Sequence, residues 1–355
     1  MTKARSNIGK RLLRNKGTLF GLIVISLSLI VAIFAYFIAP DHTRNANRII
    51  VEIGGRRPGF KQLFLVIPKD REVPTTFPLD RLLHGEEDPV DFIPINSYVV
   101  EGDSMIVQKF IDEGVEERRC YSIAYTRAWV TTQTFLLGTD KYGRDILSRL
   151  LIGVRVSLAV GMITVLLSLS VGVLLGSLAG YFRGRVDEVI LWLVNVIWSI
   201  PTLLLVFAIM LVLGKGFWQV FIAIGLTLWV NVARVIRGQV LAVREREYVE
   251  AARALGYSHA RILFRHILPN VMGPVWVVAA SNFASAIVIE AGLSFLGVGV
   301  QPPQPSWGLM IKENYNFIIT HNPMLALAPG LAIMLLVLAF NLLGNGLRDV
   351  LNVRV

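Results

Sequence analysis

The residues whose chemistry stands out are few, and most sit in apolar surroundings. Asn195, Asn231, Asn282 and Glu290 fall inside long runs with little other charge, where polar groups are costly unless they face a cavity or a partner. They are candidates for a path through a membrane. For the three Asn residues the alternative is interhelical hydrogen bonding that fixes packing, and for Glu290 a carboxylate that must pair, protonate or meet water. The five His residues show no HExxH or related spacing, and Cys120 is the only cysteine. No metal site, intrachain disulfide or dithiol motif is therefore expected. The segment "LGKGFW" lacks the spacing and hydroxyl of a phosphate-binding GxxxxGK[ST] loop, so ATP would have to bind elsewhere. A membrane-embedded hydrolase built on Glu290 or His266 would need a second catalytic group at membrane depth, and no paired carboxylates or Ser-Lys arrangement supplies one.

The segment "EYVEAARALGYSHARILFRHILPN" carries a different kind of signal. Glu247 to Leu255 is rich in helix formers, and Gly256 is placed to stop the helix because it adopts the left-handed conformation without strain. Ser258 is expected to cap a second short helix that Pro269 cannot extend normally past Leu268. The product is a helix, a turn and a helix in the most Arg-rich part of the chain.

The elements that must hold these residues follow from hydropathy. Of 355 residues, 54% are hydrophobic and 17% charged, and the mean hydropathy is +0.60. The apolar residues form runs near the roughly 20 that a helix needs to span lipid. Spans are expected at 17–39, 156–181, 189–213, 217–232, 271–296 and 325–343, about six in all. The 217–232 run is the weakest, being short and holding Thr227 and Asn231. The first is read as an uncleaved anchor, because its run exceeds the apolar core of a signal peptide. The formal net charge is +10, yet the basic residues flank the runs, which argues for membrane orientation and against nucleic acid as a partner.

Residues 1–16 carry six basic residues and no acid, Arg183 and Arg185 follow the second span, and seven Arg residues lie in the loop 233–270 or at its edge. With Arg348 and Arg354 in the tail 348–355, this places both termini and that loop in the cytoplasm. The polar segment 40–135, between the first two spans, then lies outside. Its β-prone pieces, with Tyr98, Met105, Val107 and Phe110 alternating, suggest a mixed or strand-rich subdomain. Residues 136–155 are expected to form an amphipathic helix lying on the membrane surface, with Ile146, Leu147, Leu150, Leu151 and Val154 on one face. The core of apolar runs extends from 156 to 347. Pro201 and the glycines of "GVLLGSLAG" allow a kink and close helix approach.

Glu250, Ala251 and Ala252, then Gly256, then Leu268 and Pro269 resemble the EAA loop of type I ATP-binding-cassette importer permeases. His266 departs from the general consensus, but "FRHILPN" is similar to the oligopeptide and dipeptide branch. "LLGTDKYGRDILSRLLIGVRVSL", "EAGLSFLGVGVQPPQPSWG" and "NLLGNGLRDVLNVRV" are similar to its C-type subunit, in order. The resemblance covers the first helix and Phe135 to Val355, leaving the insert aside. It implies an all-α integral membrane protein of the bacterial inner membrane. It also implies a non-catalytic subunit whose EAA loop docks on an ATPase, with ATP and Mg held by that partner. The other implied partners are a homologous B-type permease, a second ATPase, an extracytoplasmic binding protein and the lipid bilayer. The implied cargo is short peptides, with nickel chelates, glutathione or another small solute as the alternative.

Overall fold

The computed structural model describes residues 9–70, 77–123, 128–319 and 322–351. The basic residues expected in 1–8 and Arg354 in the tail fall outside these ranges. Among the described residues, five helical stretches are long and apolar enough to cross a membrane, or six if one bent pair counts as a single span. The helices are α1 (Lys16–Ile38), α2 (Pro78–His84), α3 (Ile146–Phe182), α4 (Gly184–Trp198), α5 (Thr202–Leu213), α6 (Phe217–Arg244), α7 (Glu247–Ala254), α8 (Leu268–Leu296), α9 (Trp307–Asn314) and α10 (Met324–Val350). Five strands lie between α1 and α3: β1 (Phe60–Pro68), β2 (Val90–Glu101), β3 (Ser104–Asp112), β4 (Val115–Ser122) and β5 (Trp129–Phe135).

The chain divides into two compact units, one made of Met1–Ser28, Ser157–Gln301 and Ala332–Val355, the other of Leu29–Val156 and Pro302–Leu331. The first is helical. Its closest backbone approach is written in the glycines of α3. A Cβ on Gly172 would stand 2.6 Å from the carbonyl oxygen of Trp229, one on Gly180 would stand 2.8 Å from that of Arg237, and Gly176 faces the backbone of Ala233. Spaced every four residues, the three glycines form one stripe along α3, and their lack of side chains lets α6 lie directly on it.

Three features of this unit differ from the expectation. The span expected over 189–213 is two helices, α4 and α5, bent by 94° at residues 199–201. Pro201 has no N–H to continue the ladder and its ring drives Ile200 out of the helical region, so the break falls there. α6 continues to Arg244 instead of ending near 232, because Arg234 and Arg237 find protein partners along it. The second helix after Gly256 does not stop at Leu268. A helical turn at His259–Arg261 leads into a π-helical stretch, Ile262–Ile267, and straight on into α8. The wider π turn is a means of passing Pro269, which cannot donate the usual i→i−4 hydrogen bond.

The second unit contains a five-stranded antiparallel sheet in the order β4-β3-β2-β1-β5. Phe64, Val66, Phe110 and Phe135 pack on one face with Ile50 and Ile53, while Leu65, Ile95, Met105 and Val107 pack on the other. β1 is therefore buried on both sides, which explains its unbroken run "LFLVI". Tyr98 is 46% exposed, on the outer half of β2.

The surface helix expected over 136–155 is not a separate element. Residues 136–145 are turn and loop, and Ile146 onward belongs to the continuous α3. No breaker separates Arg155 from Val156, and the polar side does not face water: Asp145, Ser148 and Arg149 are buried against protein. At about 1.5 Å per residue, a 37-residue helix spans roughly 55 Å, well beyond the ~30 Å of hydrocarbon, so a protein-packed first stretch is compatible with a span beyond it.

The glycine stripe generates a test with opposite signs. Gly176→Ala is expected to lower stability by about 1–3 kcal/mol, because the new methyl meets backbone that cannot yield. Gly238→Ala, on the exposed side of α6 with nothing within 4 Å, is expected to gain up to about 1 kcal/mol from helix propensity. Thermal unfolding of the purified chain in detergent measures both.

Candidate functional site

The EAA residues are divided by the fold. α7 carries Val249 (0% exposed) and Ala252 (4%) on the side that enters an apolar cluster with Tyr181, Val232, Ile236, Val240, Ile262 and Ile267. Burying Val249 contributes about 1.5–3 kcal/mol, and Ala252 fits only because its side chain is one methyl. Glu250, Ala251 and Gly256 remain exposed. The helix ends as the sequence requires. Gly256 has φ +73°, its N–H bonds to the Arg253 carbonyl at 2.9 Å, and the Tyr257 N–H reaches the Ala252 carbonyl at 3.2 Å. This is a Schellman closure. Ser258 Oγ then accepts from the Arg261 N–H at 3.4 Å, starting the next helix.

Polar contacts brace the same surface. Tyr181 Oη lies 2.8 Å from His259 Nδ1, with the guanidinium groups of Arg253 and Arg244 5.7 and 5.9 Å from the Tyr181 ring centroid. Asn270 Nδ2 donates to the His266 carbonyl at 2.6 Å and to Tyr248 Oη at 3.2 Å, tying the start of α8 to α7. Leu268 is half-buried and Pro269 exposed. Glu250, Ala251, Leu255 and Phe264 are exposed around this braced segment. Small and charged groups on a pre-ordered helix suit close docking of another protein.

The four candidate path residues do not form one constellation. Asn195 and Asn231 share a seam between α4 and α6: Trp198 Nε1 donates to Asn231 Oδ1 at 3.2 Å, Arg234 Nη2 donates to Asn195 Oδ1 at 3.4 Å, and the Arg234 guanidinium lies 3.6 Å from the Trp198 ring centroid. Sequence reasoning missed the neighbouring Arg237, whose guanidinium grips Asp187 with bonds of 2.5 and 2.6 Å. Asn282 is buried and donates to Ser168 Oγ at 3.3 Å and the Leu228 carbonyl at 3.4 Å, joining α3, α6 and α8. Glu290 is also buried. Ser294 Oγ donates to it at 2.6 Å and accepts from the Val300 N–H at 3.0 Å, which locks the exit of α8. His266 and Glu290 stand 24 positions apart on one continuous helical stretch, roughly 36 Å by helix rise, so they do not form a catalytic pair.

A second polar assembly was also missed. At the first turn of α3, Arg144 Nε donates to Asp140 Oδ2 at 2.6 Å, and Arg144 and Arg149 both donate to Glu313 Oε2 of α9, at 2.9 and 3.3 Å. Asp145 accepts from the N–H and hydroxyl of Ser148. Burial pushes the Asp145 carboxyl up, against the opposing pull of those hydrogen bonds. The signal in the sequence was the density of charge in "GTDKYGRDILSR"; its partner Glu313 lies 164 residues from Arg149.

Fold and site together define a polytopic helical membrane protein that presents a rigid helix–turn–helix handle. Residues 172–355 match the model of the "Binding-protein-dependent transport system inner membrane component", and residues 6–49 match the "N-terminal TM domain of oligopeptide transport permease C". The chain belongs to this family of transport-system inner membrane components, as a C-type permease with the type I importer fold. Among its relatives, the glutathione transport system permease GsiD of Pectobacterium atrosepticum is 43% identical over 216 residues, 61% of this chain and 71% of the relative. The oligopeptide permease OppC of Bacillus subtilis is 41% identical over 215 residues, 61% and 70% of the two chains. The di/tripeptide permease DppC of Pseudomonas aeruginosa is 44% identical over 218 residues, 61% and 72%. Residues 50–171, including the sheet, lie outside both family matches.

The division of the two alanines is testable by a matched pair. Ala252→Leu overfills the cluster and is expected to cost about 1–3 kcal/mol, whereas Ala251→Leu, exposed, is expected to stay within about 0.5 kcal/mol. Limited proteolysis between α7 and α8, alongside thermal unfolding, reports which variant dislodges the handle.

Proposed function

We propose that this chain moves short peptides across the bacterial cytoplasmic membrane by alternating access, and that α7 is where a partner ATPase grips it. The observation that carries the coupling role is the split of the EAA residues. Ala252 is buried in the core and Glu250, Ala251 and Gly256 are presented outward on a helix pinned at both ends. A force applied to such a handle passes into α6 and α8, not into a loop. The mechanism is a shift between two packings of the spans, driven by ATP binding to the partner; this chain transmits work and ATP with its Mg is held by the ATPases.

The working assembly is this chain paired with a homologous B-type permease, two ATPases and an extracytoplasmic binding protein. The reading has six spans, counting α4 and α5 together as one, with both termini and the loop 233–270 in the cytoplasm and the insert 40–135 outside; the Arg-rich loops support it. For the path, Asn195 and Asn231 are the better candidates. They are less buried than Asn282 and Glu290 and share their seam with a cation, while those two have buried hydrogen bonds that suit packing.

Peptide as cargo is supported by the oligopeptide and di/tripeptide permeases among the relatives. The glutathione permease at 43% identity favours that tripeptide as a second reading. Uptake of a labelled tripeptide into vesicles holding the full complex, with glutathione as competitor, separates them; a cargo that neither competes for nor enters excludes both.

For coupling, Gly256→Val is expected to lower transport-coupled ATP hydrolysis about tenfold, a loss of interface-hot-spot size, with membrane insertion intact. Gly256→Asn, which tolerates φ +73° better, is expected to fall between it and the parent. Unchanged coupling in both variants, measured in reconstituted vesicles, removes α7 from the mechanism.

A further inference from the structure

The buried charges at the start of α3 are not evenly satisfied. Arg144 (4% exposed) is well engaged: besides Asp140 and Glu313, its Nη1 donates to Asn47 Oδ1 at 3.3 Å. Arg149 is 1% exposed, and among the described residues its Nε and Nη1 have no hydrogen-bond partner. Among the described residues its guanidinium has one hydrogen bond, Nη2 to Glu313 at 3.3 Å, while Asp140 Oδ2 stands 3.9 Å from its Nε. A buried donor left without an acceptor is costly, and more so on a charged group. A small rotation toward Asp140 would satisfy Nε, at the expense of the long bond to Glu313. Two arrangements of nearly the same atoms therefore compete.

The rest of α9 is held differently. At its N-terminal end Trp307 is buried, its Nε1 donates to the Leu150 carbonyl at 3.0 Å, and its indole lies where a Cβ on Gly153 would come within 2.8 Å. That end is fixed by shape. Near the C-terminal end Met310 and Asn314 are buried, and Glu313 beside them is held by its two arginines. In the chain α9 sits between α8 and α10, so holding or freeing its far end changes the constraint on the connection between two spans.

We propose that Glu313 is a latch residue of the transport cycle. In the arrangement seen, Arg149 and Arg144 hold it and α9 is clamped to the start of α3. In the other, Arg149 turns to Asp140, Glu313 is left to Arg144 alone, and the C-terminal end of α9 is held less firmly. Glu313 is a positioning residue, acting on the cargo only through the helices it releases. The inference rests on the alternating-access reading above.

Paired spin labels test it in the complete transporter, reconstituted in lipid. In a Cys120→Ser background, Lys141→Cys and Lys312→Cys place labels on two exposed sites, one beside Asp140 and one beside Glu313. The expected result is one separation at rest and a second after trapping with ATP and vanadate. Glu313→Gln is expected to show the second separation without nucleotide and to lower binding-protein-stimulated ATP hydrolysis by about tenfold, while Glu313→Asp keeps the parent behaviour. Arg149→Lys, which offers one ammonium in place of a fork, is expected to hold a single separation in both states, and serves if Glu313→Gln does not assemble. The latch is overturned by an unchanged separation in the parent across both states. It is equally overturned by a loss of hydrolysis in Glu313→Gln with the separation unmoved, or by two separations persisting in Arg149→Lys. Peptide uptake in the same vesicles keeps the readings apart: uptake with no change of separation removes the latch alone, and a changed separation with no uptake of peptide removes the cargo reading alone.

Discussion

The contact on which the helical unit depends is backbone against backbone, along Gly172, Gly176 and Gly180 of α3 and the facing stretch of α6. In lipid, apolar side chains gain nothing by meeting each other rather than acyl chains, so helices associate where packing is closest. This contact sets the position of α6 from Trp229 to Val240. Val232, Ile236 and Val240 of that same stretch belong to the cluster into which Val249 and Ala252 of α7 insert. The handle is thus only as stiff as the glycine stripe two layers behind it.

The second unit is governed by a different constraint, the cost of burying charge. Asp140, Arg144, Asp145 and Arg149 are all at most 4% exposed. Such groups persist only when each charge has a partner within bonding reach, and removing one partner costs far more than the pair contributes. Sheet strand β1, buried on both faces, needs no such device. Its order comes from Phe64, Leu65 and Val66, all at or below 1% exposure, and from antiparallel partners on each side. The unit therefore combines an apolar sheet core with an ionic junction, and the two respond differently to perturbation: the first to volume, the second to charge.

What was legible in the sequence follows the same physics. Long uncharged runs mark helices that can cross a membrane because the signal is summed over some twenty residues. Gly256 marks the end of α7 because the closure needs a left-handed residue at that one position. The break at Pro201 was legible as a kink, but its 94° was not, since the angle is fixed by what α4 and α5 each pack against. The passage from Ile262 into α8 was misread for a related reason. Pro269 forbids an ordinary α turn, and a one-residue widening that avoids the conflict leaves no mark in residue types. The reading of 136–155 as a surface helix failed because periodicity reports two faces and not what covers them. Arg149 and Asp145 occupy a polar face that meets Glu313 and Ser148 in place of water.

The division of labour between the two units follows from these two kinds of constraint. A unit held by close packing has few intermediate positions, since dense interiors are bistable and do not deform continuously. An ionic junction offers more than one partner to a charge, such as Glu313 at 3.3 Å and Asp140 at 3.9 Å around Arg149. α3 belongs to both, entering the charged junction at Ile146 and the glycine contact by Gly172. Its 37 residues form one continuous helix. The sequence pattern did not reveal the absence of a break near Arg155, because periodicity reports faces and not where a helix begins.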